Sequence, residues 1–494
     1  MPFTLLNRHR MCGLFCSSML LPAALSAQML ATPIAQALAK AQLPADAVAL
    51  MVVAADAPPG AAPRLAHRID NAMNPASVMK LVTTFAALDL LGPAFSWHTP
   101  VYLEGALHGN ALNGSVYVRG SGDPKLVMES TWLLLKRLRA LGVHQIQGDL
   151  VLDRSAFAAA ERQAGDFDGE PFKPYNASPD ALLVNYKSVL LTVHPEAGTQ
   201  RARVQMEPAL YGVSVSPSVA LTTGPCGDYR AQLKADFSNP DRIRLNGSFA
   251  AACGEKMWPV AYADPDRYAP RMLQALWHDM GGSLRGTVRY GAVPASVLQQ
   301  GPVFEHVSPP LADVVRDINK FSNNVMTQQL FLTLGRPAAC ADDASSAACL
   351  ATPASFDTAR ARIATWWTQR MGNATPPVLE NGAGLSRLER ISAHALAQLL
   401  QTAYRSPLMS ELMSSLPVNG VDGTLRRGPG NSNAHLKTGT LDGVIARAGF
   451  VDGDDGRRYV LVALINDANA NTPAARQFMD TLIDWTAHTA PAGN

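Results

Sequence analysis

Apolar positions recur along this chain with two periods, and the places where one gives way to the other mark its organisation. Val48 to Ala55 and Arg64 to Ile69 read as two strands around the turn-rich Ala57-Pro58-Pro59-Gly60. A helix follows: from Leu81 to Leu91 only Asp89 is charged, and Gly92-Pro93 ends it. A helix apolar on every side is buried on every side. From Val101 the pattern changes to short strands separated by Gly109-Asn110 and Asn113-Gly114, then Val116-Tyr117-Val118, a helix from Thr131 to Leu141 and a strand from Gln145 to Leu152. Between Leu182 and Gly254 alternation dominates. Its clearest case sets Tyr229, Ala231, Leu233, Ala235 and Phe237 against Arg230, Gln232, Lys234 and Asp236, which predicts half-buried antiparallel strands in a small all-β module. Trp258 to Pro294, with a helix over Arg267 to Met280, resumes the mix of short strands and helix that begins at Val101. Past residue 300 the helical period resumes in Leu311, Val314, Val315 and Ile318, in Val325 to Leu334, and in Ala393 to Tyr404. The chain closes on strands His435 to Thr440, Val444 to Val451 and Tyr459 to Ile465, then a helix from Thr472 with Pro473 at its first position.

The N-terminus departs from this pattern. Arg8 and Arg10 precede an apolar run from Met11 to Leu25, with the small Ser26 and Ala27 behind it, which reads as a secretory signal over residues 1–27. Neither Cys12 nor Cys16 has the small residue before it that a lipoprotein site wants, and no later stretch is long and uncharged enough to span a bilayer. The expectation is a protein released into the periplasm without a stable membrane anchor. Lys and Arg number 42 and Asp and Glu 40; loss of the two arginines balances them, which gives no electrostatic case for nucleic acid. Four cysteines remain. In an exported protein the sequence-local pairing, Cys226 with Cys253 and Cys340 with Cys349, is the simplest disulfide scheme. The alternative, a zinc site, lacks C-x-x-C, paired-histidine or H-E-x-x-H spacing, so neither metal nor cofactor is expected.

The candidate chemistry starts where the buried helix starts. Ser77-x-x-Lys80 occurs once, and on a helix its two side chains lie one turn apart on one face, hydroxyl beside amine. Burial lowers the pKa of a lysine and so makes it a base for a weakly nucleophilic hydroxyl. Two further groups lie far downstream: Phe321-Ser322-Asn323-Asn324 between two helices, where Ser and Asn are also the usual helix caps, and Lys437-Thr438-Gly439-Thr440 on a strand. This serine/lysine set in this order is the signature of penicillin-binding proteins and β-lactamases. Together with Ser121-Gly122-Asp123-Pro124, Gly384-Leu385-Ser386-Arg387 and Val421-Asp422-Gly423-Thr424-Leu425, it makes the chain resemble the D-alanyl-D-alanine carboxypeptidase/endopeptidase family, the class C low-molecular-mass penicillin-binding proteins.

The resemblance implies an α/β multidomain fold. A β-lactamase/transpeptidase-like domain, an antiparallel sheet flanked by helices, would combine residues 28–100 with 300–494. Ser77 and Ser322 stand 245 positions apart, room for an insertion: a second, mixed module at 101–181 and 255–299, itself interrupted by the all-β module at 182–254. Amide cleavage needs a nucleophile, a base, a proton for the leaving amine and donors for the oxyanion. Ser77 is the expected nucleophile and Lys80 its base, Ser322 relays a proton between Lys80, Lys437 and the leaving nitrogen, and Asn324 orients the substrate amide. Lys437, Thr438 and Thr440 suit a terminal carboxylate, while Gly439 admits the substrate backbone. The resemblance further implies oxyanion donors in the backbone N–H groups of Ser77 and Thr440. It also implies an acid and an aromatic five residues apart at the amino end of the peptide side chain, here Glu170 and Tyr175, near Asp166 and Asp168.

The partners so implied are peptidoglycan stem peptides ending in or cross-linked through D-alanine, and β-lactam antibiotics. A secreted β-lactamase and a non-catalytic wall-binding protein are the alternatives. No glutamate in the chain stands in the E-x-x-L-N run that carries the deacylating base of class A β-lactamases, and no G-x-S-x-G elbow of a Ser-His-Asp hydrolase occurs.

Overall fold

The computed structural model describes residues 30–58, 60–159, 163–337, 352–429 and 433–488. The expected signal segment and the Cys340–Cys349 pairing therefore lie outside the described residues.

The sheet that carries the site is built from both ends of the chain. Its strands are β1 (Val48–Ala54), β2 (Leu65–His67), β3 (Ala434–Leu441), β4 (Val444–Asp452) and β5 (Arg458–Asn466), in the antiparallel order β2-β1-β5-β4-β3. Alternate residues serve opposite faces. Ala49, Met51 and Val53 of β1, with Ala446, Ala448 and Phe450 of β4, meet one helical layer; Val48, Leu50 and Val52 meet another. Both faces are covered, which is why β1 reads as an unbroken apolar run. The second face packs on α1 (Thr32–Lys40) and α7 (Pro473–His488); the first packs on α2 (Lys80–Leu91), α3 (Leu311–Phe321), α4 (Asn324–Leu334), α5 (Phe356–Met371) and α6 (Ala393–Tyr404). At the centre of that layer, α2 has every residue from Lys80 to Leu88 buried, as its composition predicts.

Between residues 98 and 307 the chain forms separate sheets. One mixed five-stranded sheet takes Val288–Tyr290, Leu150–Asp153, Val116–Arg119, His98–Leu103 and Phe304–Val307, in that order. Phe304–Val307 pairs with His98–Leu103, so this sheet reaches past 300. A second takes Ser248–Ala250, Ser218–Thr222, Arg201–Glu207, Ser188–Pro195 and Lys256–Ala261, so its pairing runs beyond residue 254. The Cys226–Cys253 disulfide closes its far side.

Two local expectations fail. Tyr229–Leu233 is a helix, not a strand: the Asp228 carboxylate accepts the N–H groups of Arg230 and Ala231, and Lys234 ends the turn in the left-handed region. Tyr229 and Leu233 are separated by four residues, so the alternation that suggested a strand also puts them on one helical face, where Leu233 is buried. Only Ala235–Asp236 remains extended. The run from Gln145 to Leu152 breaks into Gln145–Ile146 and Leu150–Asp153, which pair in different sheets. At the break, a side chain on Gly148 would come 2.6 Å from the Gly114 carbonyl oxygen.

Candidate active site

Ser77 sits in a short 3₁₀ turn, Ala76–Met79, that runs directly into α2. The turn is held from below. Asn74 and Asn466 exchange hydrogen bonds with each other's chain segments at 2.8 and 2.9 Å, and the Asn74 side chain accepts the Ala76 N–H at 2.8 Å. That clamp fixes Ala76 at a φ of 46°. Two glycines close on the turn from either side: a Cβ on Gly439 of β3 would lie 2.5 Å from the Pro75 carbonyl oxygen, and one on Gly384 would overlap Ala76 and lie 2.7 Å from the Ser77 nitrogen.

One turn on, the Lys80 amine has three partners. It lies 2.9 Å from Ser77 Oγ and 2.6 Å from Asn324 Oδ1, and it donates to the Ala383 carbonyl. Complete burial pushes its pKa down to about 7, with Glu389 acting more weakly in the other direction. A depression of this size costs the charged form about 5 kcal/mol relative to a lysine in water, which leaves the neutral amine well populated near neutral pH. A neutral amine has two hydrogens and one lone pair. The Asn324 oxygen and the Ala383 carbonyl can only accept, so they take the two hydrogens, and the lone pair is left for the Ser77 hydroxyl proton.

Asn324 and Ser322 owe their positions to the α3–α4 junction. Ser322 closes α3 in the left-handed region (φ 54°), and Asn323, between the two, caps α4 by accepting the Met326 N–H at 3.0 Å. Because Asn323 does the capping, Ser322 and Asn324 turn their side chains elsewhere: Asn324 to Lys80, and Ser322 to Lys437, whose Nζ lies 2.8 Å from Ser322 Oγ and 2.7 Å from the Thr438 carbonyl oxygen. Lys437 is fully buried, and burial first, then the neighbouring Lys80, holds its pKa well below the ordinary lysine range. The five side chains therefore form one group with two lysines, two hydroxyls and an amide.

The strand β3 lies at the sheet edge. Its first residues are covered, since Leu436 N–H donates to the Pro417 carbonyl and Asn419 N–H to that of Ala434. From Lys437 onward no strand pairs with its outer side among the described residues. Thr438 is half-buried and Thr440 exposed along this open stretch. Thr424 Oγ1, on the loop after Val421, stands 2.7 Å from Thr438 Oγ1, and that loop is pinned to α3 by a 2.6 Å bridge between Lys320 and Asp422. The arrangement offers two hydroxyls and the adjacent Lys437 amine, a set of hydrogen-bond donors, to an anionic chain end lying along β3.

Glu170 and Tyr175 are not hydrogen-bonded to this group. Their loop is organised around Asp168, whose carboxylate accepts from the Tyr175 hydroxyl at 2.8 Å, the Asn176 amide at 2.7 Å and the Glu170 N–H at 3.1 Å. The loop reaches the site's surroundings through Phe167: the Arg387 guanidinium lies 5.4 Å from its ring centroid and donates at 2.8 Å to the Asp442 carbonyl, just past β3. Sequence reasoning assigns no role to Ala383, Thr424 or Glu389. Thr424 lies within Val421-Asp422-Gly423-Thr424-Leu425, and Ala383 immediately precedes Gly384-Leu385-Ser386-Arg387. Nothing in the spacing marks Glu389.

Three comparisons bear on this geometry. The chain is 27% identical over 401 residues to the D-alanyl-D-alanine carboxypeptidase DacB of Haemophilus influenzae, covering 79% of this chain and 80% of that one. It is 27% identical over 439 residues to the D-alanyl-D-alanine carboxypeptidase of Actinomadura sp. (strain R39), covering 85% and 78%. The crystal structure of penicillin binding protein 4 (dacB) from Haemophilus influenzae shares the fold, with a TM-score of 0.73 at 23% identity over 92% of this chain and 99% of that one. The model of the D-Ala-D-Ala carboxypeptidase 3 (S13) family matches residues 30–489, so the chain belongs to that family.

Proposed function

We propose that this protein is an exported serine D-alanyl-D-alanine carboxypeptidase/endopeptidase that cleaves peptidoglycan stem peptides through an acyl-enzyme on Ser77 and is blocked by β-lactams. The observation that carries this reading is the buried Lys80 amine, whose nitrogen lies 2.9 Å from Ser77 Oγ and faces two acceptor-only oxygens, Asn324 Oδ1 and the Ala383 carbonyl. The family relationship and the relatives' names support the substrate class.

In the first half-reaction Lys80 takes the Ser77 proton as Oγ attacks the carbonyl of the penultimate D-alanine. The tetrahedral oxyanion is met by the backbone N–H groups of Ser77 and Thr440. Ser322, in contact with Lys437, relays the proton that Lys80 has taken to the leaving D-alanine nitrogen, the C–N bond breaks to give the ester, and Lys80 is again a neutral amine. Asn324 orients the substrate amide. Thr438 and Thr440 receive the terminal carboxylate beside Lys437, and Gly439 lets the peptide backbone come against β3. Water then attacks the ester, Lys80 takes its proton and returns it to Ser77 Oγ as the acyl C–Oγ bond breaks, and the shortened peptide leaves as the carboxylic acid. Glu170 and Tyr175 lie on a loop anchored by Arg387 near the end of β3, which supports a contact with the far end of the peptide side chain. In this reading the sheet made from both chain ends is the catalytic domain, and the inserted modules shape the approach to it. Defined muropeptides test the reading: product masses should show loss of terminal D-alanine or scission of D-alanyl cross-links, and intact substrates after prolonged incubation would refute it.

A further inference from the structure

Glu389 is fully buried, and none of the catalytic steps uses it. Its carboxylate collects the backbone of the preceding loop: Oε1 accepts the N–H groups of Glu380, Asn381 and Gly382 at 3.0, 3.0 and 2.8 Å, and Oε2 accepts that of Gly384 at 2.9 Å. Four donors satisfy both oxygens and favour the charged form, which otherwise is costly to bury. Burial is the largest effect and raises the pKa of Glu389 above the ordinary carboxylate value, against the N–H groups of Glu380, Gly382 and Asn381 and the Lys80 charge, which push it down.

With its N–H groups turned to Glu389, the loop presents its carbonyls outward to α2. The Ala383 carbonyl accepts from Lys80, and the Gly382 carbonyl accepts from Thr83 Oγ1 at 2.7 Å, three residues further along the same helix. Gly384, with a φ of 74°, leans on Ala76 and Ser77. Both sides of Lys80 are thus fastened to one carboxylate. The other ionisable group facing the amine is Lys437 from β3; Ser77 and Asn324 carry no charge, and the Glu380 carboxylate is turned to Ser386.

We propose that Glu389 is a positioning residue for Lys80: by gathering the N–H groups of Glu380, Asn381, Gly382 and Gly384 it turns the Ala383 carbonyl onto the amine, aims the lone pair at Ser77, and places a buried negative charge within electrostatic reach of the base. This rests on the reading of Lys80 as the base. The charge opposes the effect of burial, so its loss makes the amine a weaker base that is neutral at lower pH.

The test is the rate of acylation by a fluorescent penicillin from mildly acid to mildly alkaline pH, in the wild type, Glu389→Gln and Glu389→Asp, with thermal melting as a check on folding. Glutamine keeps one acceptor oxygen, presents an NH₂ to the Gly384 N–H and loses the charge. Its acid limb should move to lower pH by roughly one pH unit, with a reduced plateau. Aspartate keeps the charge but sits one methylene short, so it should lower the plateau without moving the limb. A purely structural role would change melting and plateau and leave the midpoint in place. A folded Glu389→Gln with the wild-type midpoint overturns the inference. If the glutamine variant does not fold, aspartate decides alone: a lowered plateau at an unmoved midpoint with wild-type melting supports the inference, and a wild-type plateau, or one lowered only together with melting, overturns it. A wild-type profile with no acid limb removes Lys80 as the base, and the inference with it.

Discussion

At the scale of single residues, the site is a question of where two protons sit. Lys80 and Lys437 are both fully buried, and two ammonium groups in one pocket would repel while each paid for its own desolvation. Each lysine has one serine hydroxyl and acceptor-only oxygens around it, Lys80 with Ser77, Asn324 and Ala383 and Lys437 with Ser322 and Thr438, and burial lowers the pKa of both. Two outcomes follow. Ser77→Ala should abolish covalent labelling by penicillin and lower peptidase activity by roughly 10⁴-fold or more, with unchanged melting; stoichiometric labelling of the variant would remove Ser77 as nucleophile. Acylation should fall as pH drops through about 7, because protonation of Lys80 removes the lone pair. A flat profile in a folded protein would count against Lys80. The pairing of Ser77 with Lys80 is legible in the sequence because helix periodicity turns a spacing of three into contact. Glu389 is not, because a carboxylate that binds backbone N–H groups selects no side-chain pattern in its partners.

The elements around these residues are placed by close backbone approach more than by side-chain fit. Gly384 and Gly439 sit on opposite sides of the Ser77 turn, on a loop and on β3, and neither leaves room for a methyl group. Gly384→Ala should therefore cost about 2 kcal/mol or more, since it adds left-handed strain to the overlap with Ala76, and should slow acylation by displacing Ser77. Thermal melting and labelling rate measure both; a variant with wild-type values in each would show that the turn is held by Asn74 and Asn466 alone. The helices α2, α3, α4 and α6 and strands β1, β3, β4 and β5 are all visible from their apolar pattern, because each is long and buried along a whole face or on both. Tyr229–Leu233, where pattern and structure disagree, is five residues long, and over so few positions a period of two and an i,i+4 pair are indistinguishable until Asp228 is seen to cap the turn.

Across the whole molecule, the residues of the site come from positions 77 to 440, and the sheet that carries it cannot close until both chain ends have met. The inserted sheets also join strands distant in sequence, such as Leu150–Asp153 with Val288–Tyr290, and this region contributes the Asp168-centred loop. The disulfide spans 27 positions within one of them, far in sequence from the site. Replacing Cys226 and Cys253 together by serine should cost that module about 3 kcal/mol of local stability and make it easier to proteolyse, while penicillin labelling keeps its rate; a lost labelling rate would tie the module to catalysis. The nested plan is implied by the long gap between Ser77 and Ser322, but which strands pair across it depends on contacts that no local window of sequence contains.

The central claim is a Ser77 acyl-enzyme that turns over with D-alanyl peptides and stalls with penicillin, whose leaving group stays tethered after ring opening and obstructs water. The most direct measurement acylates the protein with excess penicillin, removes the free drug and follows the intact mass over time, while parallel samples receive a peptide ending in D-alanyl-D-alanine and are assayed for released D-alanine. The predicted result is one adduct per chain, mapped to the peptide containing Ser77, that outlasts peptide turnover many-fold and suppresses D-alanine release for as long as it persists. Loss of the adduct as fast as the drug can be removed, with steady consumption of penicillin and no D-alanine released from the peptide by the unacylated protein, would contradict it and make the protein a β-lactamase.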